Sequence, residues 1–147
     1  HVVMSGNPTL TVYGSWSNAV AANAIAGGTV EFTGTDAVTV WGGNTWSNLT
    51  IVTADKTVRF QPGVTQTVYG VPAFSNNAGL LSAQAGVWWY LNKPGVGTQD
   101  VGRVTVRDSN AGNGMTFRAG YRSLDRFDGN NVNWIFLQPP GTMLFCR

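Results

Sequence analysis

The sequence predicts an all-β protein wound as a parallel β-helix, on three observations. A phrase recurs at a fixed interval, apolar residues alternate within each recurrence, and the composition suits strands and turns. The phrase reads Thr11-Val12-Tyr13-Gly14-Ser15-Trp16-Ser17-Asn18, then Thr39-Val40-Trp41-Gly42 through to Asn48, then Thr67-Val68-Tyr69-Gly70 through to Asn76. Its first residues, 11, 39 and 67, are spaced by 28 both times, and a fixed period in this range marks a repeat architecture. The segments HVVMSGNPTLTVYG (1–14), TVEFTGTDAVTVWG (29–42) and TVRFQPGVTQTVYG (57–70) align without gaps, so three tandem units fill residues 1–84.

Each unit opens on a strand with one buried face. Val2 and Met4, Val30 and Phe32, and Val58 and Phe60 occupy one parity, while Val3, Glu31 and Arg59 occupy the other. Turn residues follow in Ser5-Gly6-Asn7-Pro8, Thr33-Gly34-Thr35-Asp36 and Gln61-Pro62-Gly63, and a second alternating run comes after them: Leu10 and Val12, Val38 and Val40, Gln66 and Val68. A third run is clearest as Leu49-Thr50-Ile51. Strands this short cannot bury their own faces, so successive units are expected to stack as 28-residue coils, with Val30 and Val58 in one vertical file. In that register Glu31 and Arg59 become outward neighbours of opposite sign, and Asn18, Asn48 and Asn76 form an asparagine ladder capping a bend. The competing fold is an antiparallel β-sandwich or jelly roll, which the strand spacing allows but which gives no reason for an unbroken 28-residue register.

Beyond residue 84 the register fades while alternation continues in Val104-Thr105-Val106, Met115-Thr116-Phe117 and Val132-Asn133-Trp134. Residues 85–147 are therefore expected to be irregular terminal coils or a cap on the same single domain, which is the size of one hydrophobic core. The first unit begins at His1 with no cap before it, so the chain reads as part of a longer protein or assembly whose open first coil meets upstream chain or another subunit.

Charged residues make up only 11% of the chain and 19 residues are glycine, a balance that disfavours long helices. A net charge of +2 does not announce a nucleic-acid partner. Arg103, Arg107, Arg118, Arg122, Arg126 and Arg147 are offset by Asp108, Asp125 and Asp128, and read as solvated surface or an interface rim. No apolar run approaches the length of a membrane span, so no membrane insertion is expected. Cys146 is the only cysteine, which excludes an internal disulfide and leaves an intermolecular one conceivable.

The segment GTVEFTGTDAVTVWGGNTWSNLTIV (28–52) resembles the recurring pattern of secreted and surface-exposed bacterial β-helical repeat proteins, including haemagglutinin-like and autotransporter-like adhesins. VTVRDSNAGNG (104–114), followed by DGNNVNWIF (128–136), is similar to the closing segment of such proteins. The resemblance implies an extracellular, cell-surface structural or adhesive module of a fibre or filament, without catalytic residues to carry over.

The residues agree with a non-catalytic reading. His1 and Cys146 stand at opposite ends of the chain, so the sequence offers neither a Ser-His-acid nor a Cys-His arrangement. The acids Glu31, Asp36, Asp55, Asp100, Asp108, Asp125 and Asp128 are scattered, and only Asp125 and Asp128 are close in sequence. Asp108 to Gly114 superficially resembles a calcium loop but has Ala119 where the closing glutamate belongs, and is read as a turn. No metal and no cofactor are expected.

The aromatic residues supply the candidate contact face. If the neighbouring valines point inward, Tyr13, Trp41 and Tyr69 have outward parity and line one face, which Trp88 and Trp89 extend because adjacent residues of a strand cannot both face inward. Such a row is open to three uses: packing in a corner of the core, contact with other copies or neighbouring subunits, or stacking on surface glycans as a carbohydrate-binding module. The chain is thus expected to be a rigid rod in a bacterial appendage, with a virion spike or tail-fibre segment as an alternative home for the same physics.

Overall fold

The computed structural model describes residues 2–18, 23–125 and 130–140, and among these the chain forms strands and turns and no helix. It is a parallel β-solenoid of about six turns. The first coil carries β1 (Val2–Val3), β2 (Thr9–Val12) and β3 (Trp16–Ser17). The second has β4 (Asn23–Phe32) and β5 (Val38–Trp41), and the third β6 (Asn44–Ile51) and β7 (Thr57–Phe60). In the fourth come β8 (Thr65–Val68), β9 (Pro72–Phe74) and β10 (Ala78–Ser82). β11 (Trp89–Asn92), β12 (Thr98–Val101) and β13 (Val104–Arg107) make the fifth. The sixth has β14 (Ser109–Asn110), β15 (Thr116–Ala119) and β16 (Leu124–Asp125), and β17 (Trp134–Phe136) lies on the lap after it.

The coils share three faces, visited in the same order on every lap. The first face runs β1, β4, β6, β8, β11, β14, and the third runs β3, β5, β7, β10, β13, β16. The second is built from β2, the C-terminal halves of β4 and β6, and β9, and is continued by β12, β15 and β17; Gly102 N donates to Phe74 O at 2.7 Å where β12 follows β9. Every ladder is parallel. Backbone donors and acceptors are thereby satisfied between laps, which lets strands of two to five residues persist inside a chain with so few long elements.

Alternation works as expected. Val38, Val58, Leu80 and Val106 pair in succession and are all buried, a single inward file on the third face. Val30, Phe32, Leu49, Ile51 and Phe60 are buried as well. Leu10 has the same inward parity but stays 37% exposed, because β2 belongs to the first coil and pairs on one side only. Coils continue past residue 84 with the same three faces, so β11 to β17 extend the solenoid by regular pairing.

The lap is shorter than the 28 residues of the recurring phrase. Partners on adjacent coils lie between 17 residues apart, as Phe117 and Trp134, and 26 apart, as Leu80 and Val106; Ile25 and Trp46, 21 apart, are typical. A step of 28 is one and a third of a 21-residue lap, so the three copies fall on three different faces: Thr11 and Val12 in β2, Thr39 and Val40 in β5, Thr67 and Val68 in β8. Val30 therefore pairs with Leu10 and Leu49, while Val58 pairs with Val38 and Leu80. Glu31 lies between Thr11 and Thr50, and Arg59 between Thr39 and Leu81, so they are not neighbours. The recurring unit is one strand plus its bend, roughly seven residues; four units fill the phrase interval and three close a lap.

Candidate functional site

The expected aromatic row is dispersed. Tyr13 follows β2 at the corner between the second and third faces, Trp41 ends β5 between the third and first, and Tyr69 follows β8 between the first and second. All three are exposed, at 70, 46 and 65%, yet no side of the solenoid carries them together. Trp89 is fully buried and stacks on Phe60 with ring centroids 4.1 Å apart, so it cannot contribute to an outer face. Trp88 remains partly exposed, its indole N–H donating to Asn130 O at 2.9 Å. Corner placement, with the ring outward, replaces both the row and the tucked-in corner.

The phrase-ending asparagines follow the same phase shift. Asn18 Nδ2 donates to Gly43 O at 3.1 Å, Asn48 Nδ2 to Gly28 O at 2.9 Å, and Asn76 Nδ2 to Val52 O at 2.7 Å. Each ties a bend to the backbone of an adjacent lap, at a different corner, instead of bonding its own copies. The polar ladder lies elsewhere, inside the first face. Trp16 Nε1 donates to Asn44 Oδ1 at 2.9 Å, while Asn44 Nδ2 and Trp46 Nε1 both donate to Gln66 Oε1 at 3.0 and 3.2 Å.

The acids are kept apart by the winding, and among the described residues no group of three potential metal ligands forms. Asp108, at the head of the segment that resembles a calcium loop, is buried, with φ of 53°. Its carboxylate accepts from Gly86 N at 3.0 Å and Asn130 Nδ2 at 2.6 Å, which spends its oxygens on closing a turn. Asp125 accepts from Asn131 at 2.6 Å. Of the arginines, Arg107 donates to Ser82 O at 2.9 Å and lies 3.3 Å from Asp108. Arg118 grips Asp100 through two bonds of 2.5 and 2.7 Å, and that hydrogen bonding holds the Asp100 carboxyl below its ordinary range. His1, Arg126, Asp128, Cys146 and Arg147 lie outside the described residues.

Lys56 is a fully buried cation at the bend between β6 and β7. Its ammonium donates to Asp36 O at 2.7 Å, and burial lowers its pKa while the nearby Asp36 charge opposes that shift.

A continuous concavity among the described residues was not anticipated from the sequence. Three shallow depressions join along the outside of the fourth coil as it turns from the second face to the third. One of about 300 Å³ lies over Ala73 beside Gln99 and Asp100. The next, about 510 Å³, lies over Ser75, Asn76 and Asn77 between Asp55 and Arg103. The last, about 300 Å³, lies over Gly79 and Leu81, flanked by Thr57, Arg59 and Thr105. The first two share Ser75 and Gly102, and the last two share Asp55 and Asn77, so they form one groove. Its cause is small outward residues on a single lap: Ala73 is paired with the larger Thr50, and Gly79 sits between Thr57 and Thr105. Asn77 Nδ2 donates to Asp55 Oδ1 at 2.7 Å within it. The side chains of Arg59 and Arg103 have no hydrogen-bond or ion-pair partner among the described residues. The signal in the sequence was Gly79, a glycine in a strand where the other glycines mark bends.

Compared with protein-family models, with curated proteins and with solved structures, the chain gives no match.

Proposed function

We propose that this chain is a non-catalytic rod module of an extracellular fibre, filament or surface adhesin. The observation that carries the reading is the parallel stacking of about six turns, with ladders unbroken along the first and third faces. At about 4.8 Å per lap the described coils make a column roughly 29 Å tall, with a buried core that runs from Val30 to Ala119. Such a column resists bending because successive laps are hydrogen-bonded to each other through parallel ladders. The scattered acids and the resemblance of residues 28–52 to surface β-helical repeats support the same reading. Its partners are other copies or neighbouring subunits, side by side or end to end.

Immunogold electron microscopy of the native source, with antibody raised against this chain, tests the proposal. Label on a surface fringe or along filaments is the expected result. Label confined to the cell interior would overturn it, and label on virion fibres would keep the rod while changing the assembly it serves.

A further inference from the structure

We propose that Asn113 is a site of spontaneous deamidation, where the Gly114 backbone nitrogen closes a ring on the Asn113 side chain, and that the isoaspartate left behind loosens the sixth coil from the fifth. The site lies in the turn from β14 to β15, at the corner where the first face gives way to the second.

Three observations carry it. The first is chemical: Asn113-Gly114 is the only asparagine–glycine pair in the chain. With no side chain on the following residue, the attacking nitrogen reaches the asparagine carboxamide carbon by its least hindered route.

The second is that both reacting groups are free. Asn113 is exposed, and among the described residues neither its carboxamide nor the Gly114 N–H has a hydrogen-bond partner. Other asparagines are held or blocked. Asn48 donates to Gly28 O at 2.9 Å and accepts from Val71 N at 2.8 Å. Asn110 accepts from Gly112 N at 2.9 Å and is followed by Ala111. Asn7 precedes Pro8, which has no N–H to lose.

The step balances with water alone. As the bond from Gly114 N to Asn113 Cγ forms, the Cγ–Nδ2 bond breaks, and ammonia leaves with the proton that Gly114 N gives up to base. Water then opens the cyclic imide. Cleavage of the new N–Cγ bond restores the ordinary backbone with an aspartate side chain. Cleavage at the α-carbonyl carbon routes the main chain through Cγ, as isoaspartate.

The third observation is that this turn is fixed on both sides, so an extra main-chain methylene has nowhere to go. Toward the fifth coil, a Cβ at Gly114 would run into Lys93 O and Asn92 Oδ1, and Met115 N donates to that same Lys93 O at 2.9 Å. On the opposite side, Asn133 Nδ2 donates to Ala111 O at 2.9 Å and Gly114 O at 3.3 Å. Thr116 Oγ1 returns a bond to Asn133 Oδ1 at 2.6 Å. Lengthening the chain between Asn113 and Gly114 breaks this registry, whereas aspartate on the ordinary backbone leaves it in place.

The test ages the whole chain at mildly alkaline pH and body temperature, then maps tryptic peptides by mass spectrometry, with electron-transfer fragmentation to separate isoaspartate from aspartate. Asn113 is expected to convert before any other asparagine, at a rate proportional to hydroxide concentration, and Asn113→Gln to abolish that conversion. An Asn113 that converts no faster than Asn110, which lies in the same tryptic peptide, overturns the site. The purified isoaspartate form is next compared with Asn113→Asp, which carries the same charge on a normal backbone. Amide hydrogen exchange at Met115 and Phe117 is expected to quicken about ten-fold in the isoaspartate form and to stay near wild type in Asn113→Asp. Equal exchange in the two forms overturns the loosening of the coil.

Discussion

Phe60 and Trp89 stack with ring centroids 4.1 Å apart and planes 17° from parallel, joining the third face of one lap to the first face of a later one through the interior. Both rings are buried, and the pair plugs the core where the third and first faces meet. Trp89→Ala removes the stack and leaves a cavity, so unfolding stability is expected to fall by about 3–5 kcal/mol. Urea denaturation followed by circular dichroism measures this. A loss comparable to that of an exposed residue such as Trp88→Ala would show that Trp89 is not a core residue.

Gln66 accepts from two donors, the Asn44 amide and the Trp46 indole, and its own amide donates to Gly42 O at 2.8 Å. Gln66→Leu preserves bulk and strands the indole N–H in the core. Stability is expected to drop by about 1–3 kcal/mol, the cost of a buried donor without a partner. An equal or higher denaturation midpoint would contradict a satisfied ladder at this position.

The three phrase glycines are expected to respond differently to alanine. A Cβ at Gly14 meets nothing within 4 Å, whereas at Gly42 it would lie 2.1 Å from Asn18 O and at Gly70 2.4 Å from Ser47 O. Gly42 also has φ of +81°, where an L side chain costs about 1–2 kcal/mol. Thermal melts should therefore rank Gly14→Ala near wild type, with Gly42→Ala and Gly70→Ala clearly lower. Equal effects at all three would mean that neighbouring laps do not press on these bends.

Lys56 makes stability depend on alkaline pH. Its folded pKa lies below the usual 10.5, so between the two values the unfolded chain holds a proton that the folded chain has lost. Unfolding free energy then rises with pH across that window and is flat, from this group, below it. Lys56→Met removes the contribution. The stability of wild type relative to Lys56→Met is expected to increase as pH rises through the window, read by denaturant titrations at several pH values. A difference that stays constant would mean the ammonium is not desolvated.

The core files were legible because alternation is local. Val30, Phe32, Val38, Val58 and Phe60 announce their parity through nearest neighbours two residues away, and burial follows wherever a strand has laps on both sides. Bend residues were legible for the same reason: Asn76 at φ of 55° and Gly42 at +81° adopt backbone that few other residues accept. Trp89 was misplaced because Trp88, Trp89 and Tyr90 are three rings in a row, and the sequence does not say which parity is inward once the phrase has ended. The groove was missed because it is an effect of contrast between laps, visible only when Gly79 is set between Thr57 and Thr105.

By itself, then, the sequence determined the strand, the bend and the fact that they recur, since each of these is written within a few residues. The number of strand-and-bend units that close a lap was decided by the tertiary structure. Four units fit the 28-residue interval as a count, but three enclose a core that valine, leucine and phenylalanine side chains can fill. Stacking then chose partners such as Val38 with Val58 over the phrase-aligned Val30 with Val58. Packing across the interior is a sum over residues far apart in the chain, and no short stretch records it.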